Sequence, residues 1–177
     1  MNEVLHFWFS ELSPDDWWMK NPELDQLIEK RFLKLHEQAI RGELFSWRKT
    51  PRGRLAEIIV LDQFSRNIYR GKPQSFAADG IALVLAQEAV ELGLDKELNQ
   101  QERVFLYLPY MHSESLLIHE EAMKLFTELG EKENLAYEIA HIDILRRFGR
   151  YPHRNNILGR ISTPEEVEFL KGPNSSF

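Results

Sequence analysis

The sequence predicts an all-α protein of about eight helices packed as stacked antiparallel hairpins. Apolar residues recur at steps of three and four along most of the chain, which is the period of an amphipathic helix. Capping residues and prolines stand at the starts of these stretches, and glycines stand at their ends. No alternating strand pattern or hairpin turn interrupts them. Because the connections are short, consecutive helices are expected to be antiparallel neighbours.

The first two long helices carry matching signals. Each begins at a capping residue followed by proline and ends at a glycine: Asn21, Pro22 and Gly42 for one, and Thr50, Pro51 and Gly71 for the other. The next helix has small residues at a spacing of four, Ala78, Ala82 and Ala86, and ends near Gly93. Alanines on one stripe allow a neighbouring helix to approach closely.

The second half of the chain is predicted to be helical as well. Asn99 and Glu102 form a capping box, and we expect Pro109 to break the helix that this box begins. The next two helices end at glycine, and a short last helix has its own capping box; the residues concerned are Gly130, Gly149, Thr163 and Glu166.

Composition limits the classes of partner. The chain has 177 residues, a formal net charge of −6 and no cysteine, and no linker divides it, so we predict a single domain over residues 1–177. An acidic surface repels nucleic acid and anionic membranes, and no apolar stretch reaches the roughly 18 residues of a membrane helix. We therefore expect no nucleic-acid partner, no membrane association and a cytoplasmic location. The histidines and acids match no metal-ligand spacing, so neither a metal nor a cofactor is predicted.

The first candidate motif is LDQFSRNIYRG, residues 61–71. Asp62 and Arg66 are four residues apart and can form an ion pair on one helix face, which Arg70 extends by another turn. The pair lies within an apolar run, so we expect it to be at least partly covered. A covered pair belongs to a structural network or to a site, whereas the alternative is an ordinary surface pair.

The second candidate motif is LPYMHSES, residues 108–115. Ser113 or Ser115 can cap the following helix, Glu114 is expected in the first turn of that helix, and such a helix N-terminus is a natural anion site. Capping alone would also account for these three residues. His112 is explained neither by capping nor by core packing.

The third motif is DILRRFGRYPHRNNILGR, residues 143–160, which we call the arginine segment. It has five arginines and a histidine against a single acid. Asp143 and Arg147 are predicted to pair at a spacing of four, and the preceding His141 is expected to be a satisfied core histidine. Pro152 favours a rigid loop, whose arginines would suit recognition of carboxylate or phosphate. Alternatively, these arginines cap helix ends and pair with acids elsewhere in the chain.

Together with FWF near the start, STPEE after the arginine segment and a closing SSF, these motifs resemble one mostly bacterial family over essentially the whole chain. The family is the domain of unknown function 924. The resemblance implies a fold similar to tetratricopeptide-repeat superhelices and no assigned activity. Two residues depart from the family pattern: Ser65 replaces a usual proline, and His119 stands where a polar amide is expected, so His119 is left out of the site. The resemblance implies that the motif positions are Asp62, Arg66, Asn67, Arg70, His112, Glu114, His141, Arg147, Arg150, His153, Arg154 and Arg160.

Three functions are compatible with these motifs. The preferred hypothesis is a ligand-binding module whose groove takes an anionic small molecule or an acidic peptide carboxylate. The second is a hydrolase or transferase acting on a phosphorylated or carboxylated substrate, with His112 or His153 as general acid or base. The third is a structural role in which the motifs lock helices together. The predicted ligand-binding residues are Arg66, Asn67, Arg70, His112, Glu114, Arg147, Arg150, His153, Arg154 and Arg160.

The anion site is expected to combine distant parts of the chain. Arg150, His153 and Arg154 from the arginine segment would meet Arg66 and Arg70, and the segment around residue 112 would close the site. If a histidine binds as the cation, raising the pH through the histidine range should weaken anion binding.

Overall fold

The computed structural model describes residues 1–173 and 175, and within them it contains helices and no strand. Its α-helices are α1 (Asn2–His6), α2 (Pro22–Ile40), α3 (Pro51–Ile59), α4 (Ser65–Ile68), α5 (Asp79–Glu91), α6 (Gln100–Met111), α7 (Leu116–Leu129), α8 (Lys132–Phe148) and α9 (Pro164–Phe169). A π-helical turn, Val60–Phe64, joins α3 to α4, so these segments form eight continuous helices. The predicted all-α fold is confirmed. Two residues of the closing SSF, Ser176 and Phe177, lie outside the described residues.

The predicted helix starts are confirmed by their capping contacts. The Asn21 side chain accepts hydrogen bonds from the backbone N–H groups of the first turn of α2, and Thr50 accepts one from Gly53. Complete capping boxes begin α6 at Asn99 and α9 at Thr163. These contacts satisfy backbone donors that have no partner within the helix, which is why they place the helix starts.

The predicted break at Pro109 is wrong. Pro109 lies inside α6, which continues to Met111, and the N–H of His112 still donates to the Leu108 carbonyl at 2.9 Å. Because proline has no backbone N–H, α6 loses one hydrogen bond at Pro109. Only two residues of α6 follow Pro109, so most of the regular hydrogen bonding of the helix is kept. The glycine stops behave as expected: Gly130 and Gly149 end α7 and α8 in the left-handed conformation.

The main core lies between the N-terminal aromatic residues and the middle helices. Phe7 and Trp8 are buried against Phe32, Phe64 and Phe105, with ring centroids 5.1 to 6.1 Å apart in the closest pairs. The FWF motif therefore packs into the core, with Phe9 partly buried. Trp18, by contrast, is 57% exposed.

The alanine stripe of α5 provides close helix packing. Ala78, Ala82 and Ala86 are fully buried, and α5 packs against both α3 and α6. Consecutive helices from α5 to α8 contact each other in chain order. This order agrees with a series of hairpins, and the finer likeness to a tetratricopeptide superhelix stays a prediction.

A smaller cluster holds the arginine segment against α6. Tyr151 is fully buried beside Ile144 and Leu145, and its hydroxyl donates to the Met111 carbonyl at 2.7 Å. The start of the loop after α8 is thereby fixed at the end of α6. In the described ranges, 1–173 and 175, no helix is both long and apolar enough to cross a membrane.

Candidate functional site

A cavity of about 480 Å³ lies where the start of α5, the end of α6 and the arginine segment meet. Its size falls within the range of small-molecule pockets. Apolar side chains form much of its wall: Pro73, Phe76, Leu83, Pro109 and Leu158. The charged or titratable side chains that line it are Asp79, His112, Glu114 and Arg154.

Asp62 and His112 form a dyad at this cavity. The Asp62 carboxylate is fully buried, and its Oδ1 lies 2.7 Å from His112 Nδ1. Within the part of the chain that the structure describes, no hydrogen bond engages His112 Nε2. One ring nitrogen is therefore held by the carboxylate, while the other remains available to a ligand.

The π-helical turn between α3 and α4 places Asp62 in this position. Asp62 lies in the middle of the turn Val60–Phe64, where one extra residue changes the direction of the following side chains. Such turns inside α-helices are frequent at functional sites. The apolar periodicity of the sequence predicts an ordinary helix here and contains no signal for the turn.

The charges around the dyad favour an ionised Asp62 and a neutral His112. Burial alone would raise the pKa of Asp62, but Arg66 and His112 outweigh it and hold the pKa of that carboxyl well below its usual range. Burial, followed by the nearby Arg66 guanidinium, lowers the pKa of the His112 imidazole, against the opposite effect of Asp62. At neutral pH, Nδ1–H therefore donates to Asp62, and Nε2 carries a lone pair.

Two arginines meet at Asp79 beside the dyad. Arg66 donates to both Asp79 oxygens at 3.0 and 3.1 Å, and its Nη1 also lies 3.2 Å from Asp62. The predicted Asp62–Arg66 pair is therefore present. Arg154 donates to Asp79 at 3.2 Å and to the His112 carbonyl at 3.0 Å, and its guanidinium lies between the rings of Phe76 and Tyr151.

Glu114, which lines the cavity, is paired with Arg160. The two side chains make hydrogen bonds of 2.7 and 2.9 Å, and the Tyr151 N–H also donates to Glu114. The expectation that Glu114 lies in the first turn of α7 is wrong, because α7 begins at Leu116 and Ser115 is its N-cap, with no side-chain capping bond. Glu114 instead turns toward Arg160, which lies in the arginine segment.

Several predicted site residues lie elsewhere. Asn67 and Arg70 both bind Asp25, a residue of α2, at distances of 2.6 to 2.8 Å. Arg150 makes two hydrogen bonds, of 2.7 and 2.8 Å, with Glu166 of α9. The expected site that joins Arg70 and Arg150 to Arg154 is therefore not formed, because acids from α2 and α9 hold the first two away from the cavity.

The predicted Asp143–Arg147 pair is also wrong. Asp143 accepts a hydrogen bond from Arg146 at 3.1 Å, with both side chains exposed. Arg147 instead donates to Glu165 at 2.8 Å and lies over the rings of Phe148 and Phe169. Packing on these two rings turns Arg147 toward α9, so spacing along one helix does not decide its partner.

The other histidines of the motifs are structural neighbours of the cavity. His153 does not line it and stacks on Tyr151 with ring centroids 5.6 Å apart, and burial lowers its pKa to about 4. His141 is buried, with Nδ1 2.8 Å from the Tyr137 carbonyl, as expected of a core histidine.

His119, which sequence reasoning left out, anchors the backbone next to the dyad. The ring of His119 is fully buried, and its Nδ1 lies 2.5 Å from Glu138. Its Nε2 lies 2.9 Å from the Ser113 carbonyl oxygen and 3.0 Å from the Tyr151 hydroxyl. These contacts fix the segment that carries His112 and Ser113. No signal in the sequence links His119 to Glu138, because the two residues lie in different helices. Across residues 1–173 and 175, no group of three or more histidines and acids is placed to hold a metal ion.

Comparison with known proteins gives relatives without assigned activity. Residues 4–174 match the family described as "Bacterial protein of unknown function (DUF924)". The structure is similar to that of a protein of unknown function from Agrobacterium tumefaciens, with 38% sequence identity, 97% of each chain covered and a TM-score of 0.92. No curated protein matches the chain.

Proposed function

The chain belongs to this DUF924 family of bacterial proteins, and we propose that it binds a small molecule in the cavity and that His112, oriented by Asp62, acts there as a general base. The observation that carries the proposal is the geometry of the dyad. A fully buried carboxylate lies 2.7 Å from Nδ1 of a histidine that lines the cavity, and Nε2 of that histidine has no hydrogen-bond partner in the described part of the chain.

The protonation states support this role. A general base must be neutral before it accepts a proton, and the lowered pKa of His112 keeps it so at neutral pH. When Nε2 accepts the proton, the imidazolium lies against the ionised Asp62, which stabilises the new charge. The carboxylate also selects the tautomer that leaves Nε2 unprotonated.

The reaction class that fits this arrangement is general-base activation of an O–H nucleophile, either water in a hydrolase or a hydroxyl group in a transferase. His112 would take the proton from the attacking oxygen through Nε2. His153, the other histidine considered from the sequence, has no such position, because it does not line the cavity. We therefore assign the base to His112.

Non-catalytic ligand binding is the second candidate function, and one observation favours it. Arg154 lines the cavity, and its buried Nε has no hydrogen-bond partner in the described part of the chain. Such a donor would be satisfied if a ligand shifted the guanidinium. The remaining expectations of the sequence, no nucleic-acid partner and a cytoplasmic location, stay predictions.

Chemical modification tests the assignment of His112. Diethyl pyrocarbonate acylates accessible neutral imidazole nitrogens, so mass spectrometry at neutral pH is expected to find His112 modified. Asp62→Asn removes the carboxylate that polarises the ring and is expected to slow this modification. The exposed His6 is the internal control, because it does not line the cavity and should react equally in both proteins. An unreactive His112 contradicts the proposal.

Hydrolysis of p-nitrophenyl esters and p-nitrophenyl phosphate tests catalysis directly. The wild type and the matched control His6→Gln are expected to share a rate that His112→Gln loses. The rate should rise with pH as His112 loses its proton and should level off below the ordinary histidine pKa of about 6.5. Equal rates for all three proteins would argue for binding without catalysis.

A further inference from the structure

The charges around the cavity are already balanced within the protein. Asp62 and Asp79 are paired with Arg66 and Arg154, and Glu114 is paired with Arg160. An incoming carboxylate or phosphate would have to displace one of these acids or lie close to them. An ammonium group would similarly meet the guanidinium of Arg154. Among the described residues, neither charge finds an uncompensated partner at the cavity.

The hydrogen-bonding groups of the cavity point to a donor on the ligand. The lone pair of His112 Nε2 accepts a hydrogen bond, and in the described part of the chain no side chain occupies it. The donors of the arginines, by contrast, are largely engaged by Asp79, by Glu114 and by the His112 carbonyl; the exception, the buried Nε of Arg154, becomes accessible to a ligand only if the guanidinium shifts. A ligand that presents an O–H or N–H group therefore satisfies the site better than one that presents only acceptors.

The rest of the wall suits an apolar body. Phe76, Leu83 and Leu158 line the cavity together with two prolines. Burying hydrocarbon against these side chains is favourable, and the single polar end next to His112 would orient the molecule. Gly80 also belongs to the wall, and a Cβ added there would meet no atom within 4 Å.

From these three features, and resting on the function proposed above, we infer that the ligand is uncharged, with an apolar body and a terminal hydroxyl or primary amide that donates to His112. Such a ligand differs from the anion that the arginine count suggests. A hydroxyl group bound in this way is also the group from which His112 would take a proton, so a ligand of this class would be the substrate of the same site.

The test uses four probes with the same six-carbon chain: 1-hexanol, hexanamide, hexanoate and hexylamine. Their affinities are measured from the shift of the His112 imidazole ¹⁵N resonances in the wild-type protein. We expect 1-hexanol and hexanamide to bind at least about tenfold more tightly than the two charged probes, a difference that follows from leaving one charge partly uncompensated. Hexanoate or hexylamine binding as tightly as the amide overturns the inference, as does the absence of a shift with all four probes.

Two variants at one position show whether the shifts report the cavity. Gly80→Leu places a side chain in the cavity and should abolish the shifts, whereas the smaller Gly80→Ala should retain them. If Gly80→Leu binds the amide as well as the wild type does, the probes bind elsewhere and the inference fails. Modification by diethyl pyrocarbonate distinguishes a wrong ligand class from a wrong general base. If His112 reacts but the charged probes bind best, only the ligand class is contradicted. If His112 does not react, its role as a general base is contradicted.

Discussion

The fully buried carboxylate of Asp62 lies 3.2 Å from the guanidinium of Arg66, one helical turn further along the chain. A buried ion pair contributes little net stability in itself, but removing one partner leaves the other charge without compensation. Asp62 is in addition the hydrogen-bond partner of His112. Its removal therefore disturbs both the helix packing and the dyad.

We expect Asp62→Ala to lower the free energy of unfolding by about 3–5 kcal/mol, because the mostly buried Arg66 is left with Asp79 as its counter-ion and His112 loses its hydrogen-bond partner. Urea denaturation measures the change. The matched control is Asp143→Ala, which breaks an exposed pair with Arg146 and should cost less than about 1 kcal/mol. Similar losses for the two variants would mean that the Asp62 pair behaves as a surface contact.

Tyr151→Phe removes a hydroxyl that donates to the Met111 carbonyl and contacts His119. Because Tyr151 is fully buried, the groups left without this partner cannot turn to water, and we expect a loss of about 1–3 kcal/mol in denaturant titration. Tyr137 is 56% exposed, so Tyr137→Phe serves as the control. A stability change no larger than that of the control would contradict the role of the hydroxyl.

Ala82→Leu tests the close packing of α5. The fully buried alanine lies on the stripe that packs toward α3 and α6, so a larger side chain should lower the unfolding free energy by about 1–3 kcal/mol. Val84→Leu, at an exposed position of the same helix, should change it by less than about 0.5 kcal/mol. Thermal unfolding of both variants measures these changes in stability. If Ala82→Leu is as stable as the parent protein, the helices do not approach closely at this position.

Stability should fall as the pH is lowered from 7 toward 5. Burial lowers the pKa of His141 to about 3 and that of His153 to about 4. The unfolded chain takes up protons near pH 6.5 that the folded protein does not bind until lower pH, so acid favours unfolding. Each such histidine contributes a slope of up to about 1.4 kcal/mol per pH unit below that value.

Denaturant titrations at several pH values measure this slope. His141→Gln should flatten it, whereas Val84→Leu, which changes no titratable group at an exposed position, should leave it unchanged. A slope that persists in His141→Gln would show that other groups cause the acid sensitivity. By the same argument, neither His112 nor His153 is expected to strengthen anion binding as a cation near neutral pH, contrary to the expectation from the sequence.

The features that depend on a few consecutive residues could be predicted from the sequence. Asn21, Thr50 and Asn99 place helix starts because their side chains reach backbone donors two or three residues away. The alanine stripe and the pair of Asp62 with Arg66 likewise follow from the helical period. Such interactions require only local geometry, which the residue types specify.

Contacts between distant segments determine the partners of most of the other arginines. Asp62–Arg66 and Asp143–Arg147 have identical spacing, yet only the first pair forms, because the rings of Phe148 and Phe169 and the acid of α9 draw Arg147 away. The surplus of arginines in residues 143–160 predicted an anion site, but four of the five bind acids from outside that segment: Asp79, Glu114, Glu165 and Glu166.

The Asp62–His112 dyad shows most clearly that contacts between distant residues build the site. Asp62 and His112 lie 50 residues apart, and a π-helical turn, which the apolar period of the sequence does not reveal, places the carboxylate against the end of α6. Charge and hydrogen-bonding capacity are properties of single residues and can be counted in a sequence. Which charges compensate each other, and which lone pair remains open to a cavity, depend on distances that only the folded chain sets.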